Sequence, residues 1–348
     1  LRVLSVFDGI SCGQVALKRC GVKVGEYYAS EIDKYAIQVT QKNFPKTVQL
    51  GPVELVNKER LPEIDILIGG SPCQGFSFAG KQLNFEDPRS KLFFEFVRLK
   101  KELKPKYFFL ENVKMKKEYQ DIISKLLGVQ PVEVNSSLVS AQNRKRLYWT
   151  NIPFKAPEDK KINWGDVRER GVKSDCFYYT EKAMQWLGRH SHNNNKILKV
   201  HNENEKMQML EASHYKKYSS QRFFGVVETL IDTQCVGAMR GRYLVNGKRQ
   251  DGTQLTKGLT KQYIEFRYDS KTNALTTVGK DNVVVPFTHS NRVPVDEFFF
   301  RYITPIECER LQTLDDNYTD GISNTQRYKA LGNGWTVDVI CEFFKNMT

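Results

Sequence analysis

Cys73 and Glu111 are the residues with the clearest capacity for chemistry. Ile64-Asp65-Ile66-Leu67-Ile68 is a short, mostly apolar run that stops at Gly69-Gly70, and Ser71-Pro72-Cys73-Gln74 comes next. Such a run reads as a buried strand, and the loop behind it presents one thiol. Tyr107-Phe108-Phe109-Leu110 is a second apolar run that ends in Glu111, thirty-eight residues beyond Cys73. A cysteine attacks as a thiolate, so it needs a lowered pKa or a proton acceptor nearby. A partly buried carboxylate has a raised pKa and can hold or share a proton. Two strand ends carrying this pair suggest a nucleophile and a proton manager. The plainer readings are a Cys that fills a core gap and a capped, structural Glu.

Two further groups of residues bear on the target of that pair. The first strand runs into Phe7-Asp8-Gly9-Ile10-Ser11-Cys12-Gly13, where Gly9 and Gly13 permit a tight turn before a helix N-terminus. Glu31 ends the second strand, twenty-four residues after Phe7. An acid there suits a pair of ribose hydroxyls, as an adenosine-containing cofactor would offer. The loop has no GxGxxG, which weakens a dinucleotide reading, whereas S-adenosylmethionine has no phosphate to cradle. Gln142, Arg144 and Arg146 alternate, so in a strand they would share one face. Two guanidiniums on one face suit an anion or a base carbonyl, or simply a solvated edge.

The elements that must position these residues are set by periodicity. Val3–Phe7, Val24–Ser30, Ile64–Ile68 and Tyr107–Leu110 read as strands. Gly13–Cys20, Lys34–Phe44, Leu92–Leu103 and Tyr119–Leu127 read as helices, stopped by Gly21, Pro45 and Pro105 in three cases. This alternation predicts an α/β fold, a mostly parallel sheet covered on both faces. Ligands in such sheets sit at the C-terminal ends of the strands, where Phe7-Asp8-Gly9, Glu31, Cys73 and Glu111 all fall. From about residue 155 to 285 the pattern gives way to Asn clusters, charges and short β-like pieces, including a hairpin signal with Thr276–Val278 and Val283–Val285 around Gly279–Asn282. Regular structure resumes with a helix over Thr304–Leu314, Pro305 near its start, and with a helical face of Val337, Ile340, Phe343 and Phe344. The expected division is residues 1–154, a smaller domain over 155–285, and a return to the first domain over 286–348.

Composition sets the outer limits. At 348 residues the length prior is about two domains. No apolar stretch approaches the roughly 18 residues of a membrane span. The opening residues read as a strand without the pattern of a secretory signal, and they lack an initiator Met, so a few residues are expected to precede them. The seven cysteines form no CxxC pair, which argues against a disulfide framework and for a reducing cytoplasm. The five histidines include His190-Ser191-His192 on a polar segment and read as loop residues, with no metal site expected. The net charge of +13 favours a polyanionic partner. It is densest from Cys235 to Lys261, where Arg240, Arg242, Lys248, Arg249, Lys257 and Lys261 face Asp251 alone. That Gly-rich stretch is either a loop that can track a phosphate backbone or a solvated hairpin around Asn246-Gly247.

Taken together, Phe7-Asp8-Gly9, Glu31, Pro72-Cys73-Gln74, Glu111-Asn112-Val113, Gln142-Asn143-Arg144-Lys145-Arg146 and Leu331-Gly332-Asn333-Gly334 resemble the DNA cytosine-C5 methyltransferases. The resemblance runs nearly end to end and is weakest over 155–270. Leu4–Ile10, Tyr28–Glu31 and Tyr148-Trp149 are also similar to the catalytic domain of the de novo branch, which suggests a bacterial or phage relative of that branch.

The resemblance implies a Rossmann-like, S-adenosylmethionine-dependent methyltransferase sheet with a smaller target-recognition domain. It implies that Cys73 adds to C6 of a flipped-out cytosine, that Glu111 holds the protonated N3, that Arg146 contacts O2, and that Arg144 supports the site or reaches phosphate. It implies a cofactor pocket from Phe7, Asp8, Gly9, Ile10, Ser11, Glu31, Ile32, Val53, Ser71, Pro72, Leu92, Asn333 and Trp335, with S-adenosylhomocysteine as product. DNA contacts are expected from Gln74, Ser77, Lys81, Arg89, Gln142, Arg240, Arg242, Lys248 and Arg249, and residues from Gln74 to about Ser90 form the expected lid. The implied setting is the cytoplasm of a bacterial host, with duplex DNA as substrate and a cognate restriction endonuclease as a candidate partner. Monomer and homo-oligomer both stay open.

One position departs from the family pattern. The third strand's end usually carries an Asp that accepts from the adenine amino group, and here Gly51-Pro52-Val53 stands instead. Pro52 has neither the carboxylate nor a backbone donor, so weaker cofactor binding is expected. The alternative reading is an RNA methyltransferase of the tRNA-modifying branch, whose usual Cys-Phe-Thr signature is not found in this chain.

Overall fold

A computed structural model describes residues 1–71, 88–169, 172, 233–242, 244–245, 248–249, 261–266, 272–273, 282–286 and 301–347. Seven strands form the main sheet: β1 (Arg2–Val6), β2 (Glu26–Ser30), β3 (Val48–Gln49), β4 (Ile66–Gly69), β5 (Tyr107–Val113), β6 (Val132–Asn135) and, after the two-residue β7 (Gln142–Asn143), β8 (Lys145–Thr150). Their order is β3-β2-β1-β4-β5-β8-β6. The first five in that order pair parallel, and β8 runs antiparallel to both β5 and β6.

The helices are α1 (Cys12–Arg19), α2 (Lys34–Asn43), α3 (Pro88–Leu103), α4 (Lys117–Leu127), α5 (Trp164–Val167), α6 (Pro305–Leu311), α7 (Asn324–Asn333) and α8 (Val337–Phe344). The central strands carry apolar residues on both faces because both faces are covered. Ile66 and Ile68 of β4 pack with α1 and α8, whereas Leu67 packs with Phe93, Phe96 and Leu99 of α3. Helix boundaries obey local chemistry. Gly128 takes a left-handed conformation after α4, and the Thr304 side chain with Glu307 forms a capping box at α6, whose first residue is Pro305.

The predicted alternation matches these elements with one informative difference. β5 continues three residues past Leu110, so Glu111 lies inside a strand. The reason is β8, which pairs Glu111 with Tyr148, Asn112 with Leu147 and Val113 with Arg146. The expected face of α8 is fully buried, with Val337, Ile340, Phe343 and Phe344 at 0% exposure, each large side chain contributing about 2 kcal/mol.

The remaining strands are β9 (Thr233–Arg242), β10 (Leu244–Val245), β11 (Lys248–Arg249), β12 (Lys261–Phe266), β13 (Thr272–Asn273), β14 (Asn282–Pro286) and β15 (Arg301–Tyr302). Four form a second sheet in the order β12-β9-β14-β15. β10 pairs antiparallel with β11 through Val245 and Lys248, the hairpin alternative for the basic stretch. Thr276–Val278, the expected partner of Val283–Val285, lies outside the described residues; β14 pairs with β9 and β15.

Candidate active site

Register brings the sequence-predicted residues together. Val6 of β1 pairs with Ser30 of β2 and with Gly69 of β4, and Gly69 pairs with Leu110 of β5. One residue further on stand Phe7, Glu31, Gly70 and Glu111, in one row along the C-terminal edge of the sheet.

The left half of the row suits a nucleoside. Phe7, Gly9 and Ser11 all have positive φ, at 57°, 58° and 58°, so the main chain turns sharply between β1 and α1. Such angles are sparsely populated for Phe and Ser and persist only where surrounding contacts impose them. Glu31 imposes part of the turn, because one carboxylate oxygen accepts the Gly9 N–H at 2.7 Å. Its other oxygen accepts the N–H groups of Ile32 and Asp33, each at 2.8 Å. The oxygen that accepts from Gly9 keeps a further lone pair for a ribose hydroxyl. Ile32 beside it is 75% exposed, an apolar surface suited to a purine face.

Asp8 accepts hydrogen bonds from Ser11 and, at 2.8 Å, from the Tyr27 hydroxyl. Burial pushes its carboxyl up to about 6, against the lowering effect of the hydroxyls that donate to it. At the third strand's end, Gly51 has φ +73° and its carbonyl accepts from Ser30 Oγ at 2.7 Å. Pro52 then caps a short turn over Val53–Leu55, in which Val53 is buried. No carboxylate stands at residue 52, as the sequence predicts.

The right half suits a base that must be held and protonated. Glu111 and Arg146 pair at 3.0 Å between Oε1 and Nε, with side chains only 11% and 16% exposed. Gly70 lies against Glu111 and Trp335: a Cβ at this position would stand 3.3 Å from Glu111 Oε2 and 2.9 Å from Trp335 Nε1. The buried Asn112 amide donates to Ser71 Oγ at 3.1 Å and reaches the Ser71 carbonyl at 3.4 Å. The root of the Pro72-Cys73 segment is thereby fastened to the strand that carries Glu111. Trp335 joins the halves. It meets Phe109 edge-on at 5.8 Å, and a Cβ on Gly13 of α1 would come within 3.5 Å of its ring.

Two expectations need correction. Gln142, Arg144 and Arg146 do not form one exposed comb, because the strand breaks at Arg144 between β7 and β8. Gln142, expected on DNA, is fully buried and donates to the Leu311 carbonyl at 3.1 Å and to Gln312 Oε1 at 3.2 Å. Arg144, expected to support the site or reach phosphate, is 5% exposed and donates to the carbonyls of Gly332 and Gly334 at 3.3 and 3.0 Å, which braces the turn before Trp335. Burial and the neighbouring Arg146 pull its pKa down to about 10, so it stays charged at neutral pH.

The other predicted residues are spread around this row. Ile10 is buried behind the first loop, Leu92 is half-buried on α3, and Asn333 is exposed at the end of α7. Arg89 lies in α3, Arg240 and Arg242 in β9, and Lys248 and Arg249 in β11. Pro72, Cys73, Gln74, Ser77 and Lys81 lie outside the described residues. Tyr27, Asn112, Gln312 and Tyr318 join the site without an assigned role in the sequence reading. Inward alternation in β2 is a signal for Tyr27; the other three act through contacts with residues distant in the chain.

Comparison with known proteins agrees with this arrangement. Residues 1–348 match the family model described as "C-5 cytosine-specific DNA methylase". The chain is 29% identical to the orphan methyltransferase M.SPRI of Bacillus phage SPR, covering 100% of this chain and 97% of that protein. It is 29% identical to the type II methyltransferase M1.ScrFI of Lactococcus lactis subsp. cremoris, covering 97% of this chain and 76% of the relative. The Entamoeba histolytica methyltransferase EhMeth shares the fold, with a TM-score of 0.60 at 16% identity over 98% of this chain and 96% of that structure. A nucleoside-suited loop, an acid–guanidinium pair and a family match over the whole length converge: the chain belongs to the C-5 cytosine-specific DNA methylases and is a DNA cytosine-5 methyltransferase.

Proposed function

We propose that this enzyme methylates C5 of a cytosine flipped out of a specific duplex DNA sequence, through a covalent bond between Cys73 Sγ and C6. The observation that carries the reading is the row at the sheet edge. Glu31 just beyond β2 and the Glu111–Arg146 pair on β5 and β8 flank β1 and β4 along one sheet edge, and Gly70-Ser71, which follow β4 between them, lead directly into Pro72-Cys73.

S-adenosylmethionine, held by the loop Phe7–Ser11, Glu31 and Ile32, supplies an electrophilic methyl group. The protein's task is to make C5 nucleophilic. The Cys73 thiolate adds to C6, and the C5–C6 π electrons move to C5 as an enamine. Glu111 holds a proton at N3, so that the ring accepts this charge, and Arg146 steadies both Glu111 and the base O2. After C5 takes the methyl group a base removes the C5 proton, the double bond re-forms and Cys73 leaves. Flipping the cytosine costs a few kcal/mol. Residues 155–285 serve as the target-reading domain, with Arg240, Arg242, Lys248 and Arg249 on the DNA, while 1–154 and 286–348 form the catalytic domain.

The test is incubation with S-adenosylmethionine and mixed-sequence duplex DNA containing 5-fluorocytosine. Fluorine cannot leave as a proton does, so a denaturation-resistant protein–DNA adduct is expected from wild type and none from Cys73→Ser. Absence of adduct on every duplex, or methyl transfer to tRNA instead, would overturn the reading.

A further inference from the structure

The first loop is held chiefly from its own half of the chain. Glu31 accepts the Gly9 N–H, the Ser30 carbonyl accepts the Asp8 N–H at 3.2 Å, and Tyr27 donates to Asp8. The Ile10 carbonyl is the exception. It accepts from the hydroxyl of Tyr318 at 2.7 Å, 308 residues further along the chain. Ile10 is buried and Tyr318 is 8% exposed, so water is a poor replacement for that donor.

Tyr318 itself is held firmly. It lies in the segment between α6 and α7, which folds around the fully buried Glu309 carboxylate. Glu309 accepts the N–H groups of Asn317 and Thr319 at 2.7 and 2.8 Å and pairs with Arg327 at 2.8 Å. The same segment is docked on α2, where Asn43 Nδ2 donates to the Tyr318 carbonyl at 3.0 Å and Lys42 Nζ to the Asp320 carbonyl at 2.8 Å. The hydroxyl therefore meets the loop from a rigid support, just before Ser11 turns left-handed into α1.

We propose that Tyr318 is a positioning residue for the cofactor loop: its hydroxyl fixes the Ile10 carbonyl, and through it the turn that presents the loop to S-adenosylmethionine. The inference rests on the proposed assignment of this loop to the cofactor. Tyr318 touches neither methyl donor nor base, so its removal acts on binding of the donor and leaves the chemical step alone.

Tyr318→Phe deletes only the hydroxyl. Tyr328→Phe is the matched control, since the Tyr328 hydroxyl donates at the same 2.7 Å to the Ile303 carbonyl, away from the loop. Calorimetric titration of the full chain with S-adenosylhomocysteine is expected to show a roughly tenfold higher Kd for Tyr318→Phe and a change within about twofold for Tyr328→Phe. KM for S-adenosylmethionine should track Kd, with kcat at saturating donor near wild type. Hydrogen exchange in wild type needs no variant. Saturating S-adenosylhomocysteine should slow amide exchange at residues 315–320, because coupling between two sites is reciprocal. A Tyr318→Phe protein that melts earlier yet binds as wild type would overturn the inference, as would exchange at 315–320 that ignores the ligand. Wild type that binds no S-adenosylhomocysteine would instead overturn the cofactor assignment on which the inference stands.

Discussion

The Glu111 carboxylate and the Arg146 guanidinium meet at 3.0 Å across antiparallel strands, near the end of β5. The pair is largely desolvated, so each partner depends on the other. Arg146→Ala is expected to cost about 2–3 kcal/mol of stability by leaving a buried carboxylate unpaired. Glu111→Gln likewise leaves the Arg146 guanidinium without its carboxylate, so a stability loss of similar size is expected, and the proposed role at N3 predicts that kcat of the folded protein also falls by about 10²–10⁴. A Glu111→Gln enzyme with wild-type turnover would show that the carboxylate has no part in the chemistry.

Gly70 is a packing requirement of Trp335 and the neighbouring Glu111. The Cβ of Gly70→Ala would be forced to within 2.9 Å of the Trp335 ring nitrogen. The expected cost is about 1–3 kcal/mol, read from denaturant midpoints. Adding Trp335→Phe removes the clashing edge, so the double variant should recover part of the loss. Strict additivity of the two changes would refute the contact.

Pro52 predicts a gain of function. Pro52→Asp places an acceptor where the family uses one for the adenine amino group, and S-adenosylmethionine should bind about tenfold more tightly, the worth of one charge-assisted hydrogen bond. Equal affinities in calorimetry would mean that the adenine does not lie against this turn.

Asp8 gives a pH signature. Its folded-state pKa of about 6 exceeds the ordinary 3.8, so the folded protein binds this proton more tightly than the unfolded chain. The resulting stabilisation is complete below pH 3.8 and is lost as pH rises through 6. Relative to Asp8→Asn, wild type should gain about 1 kcal/mol on going from about pH 7.5 to about pH 5, less than the full shift because pH 5 still lies above the unfolded pKa and because the site has some solvent contact. Parallel melting curves for the two proteins across that range would contradict the assignment.

The sheet and the row of residues along its edge were legible because both rest on local signals. Short, near-continuous apolar runs place Val6, Ser30 and Gly69 at strand ends and Leu110 close to one, and a parallel sheet then aligns the residues just beyond them. The supports of the site were not legible. Gln142 alternates with two arginines as a surface strand would, yet Leu311 and Gln312 take up its amide from far along the chain. Asn112 belongs to a motif visible in sequence, but its hold on Ser71 depends on β4 and β5 lying side by side. No periodicity encodes contacts of that kind, and those of Gln142 exist only once the C-terminal segment has returned to the sheet.

That return constrains how the protein can be made. α1 is completed within the first 20 residues, yet it packs against α8, which is synthesised some 300 residues later. Arg19 waits for Asp338, and the fully buried Phe343 and Phe344 seal the core beside Phe109. During translation the row of residues along the sheet edge therefore sits on an open hydrophobic face for most of the chain's emergence. Chaperone demand should fall on this nascent half of the chain.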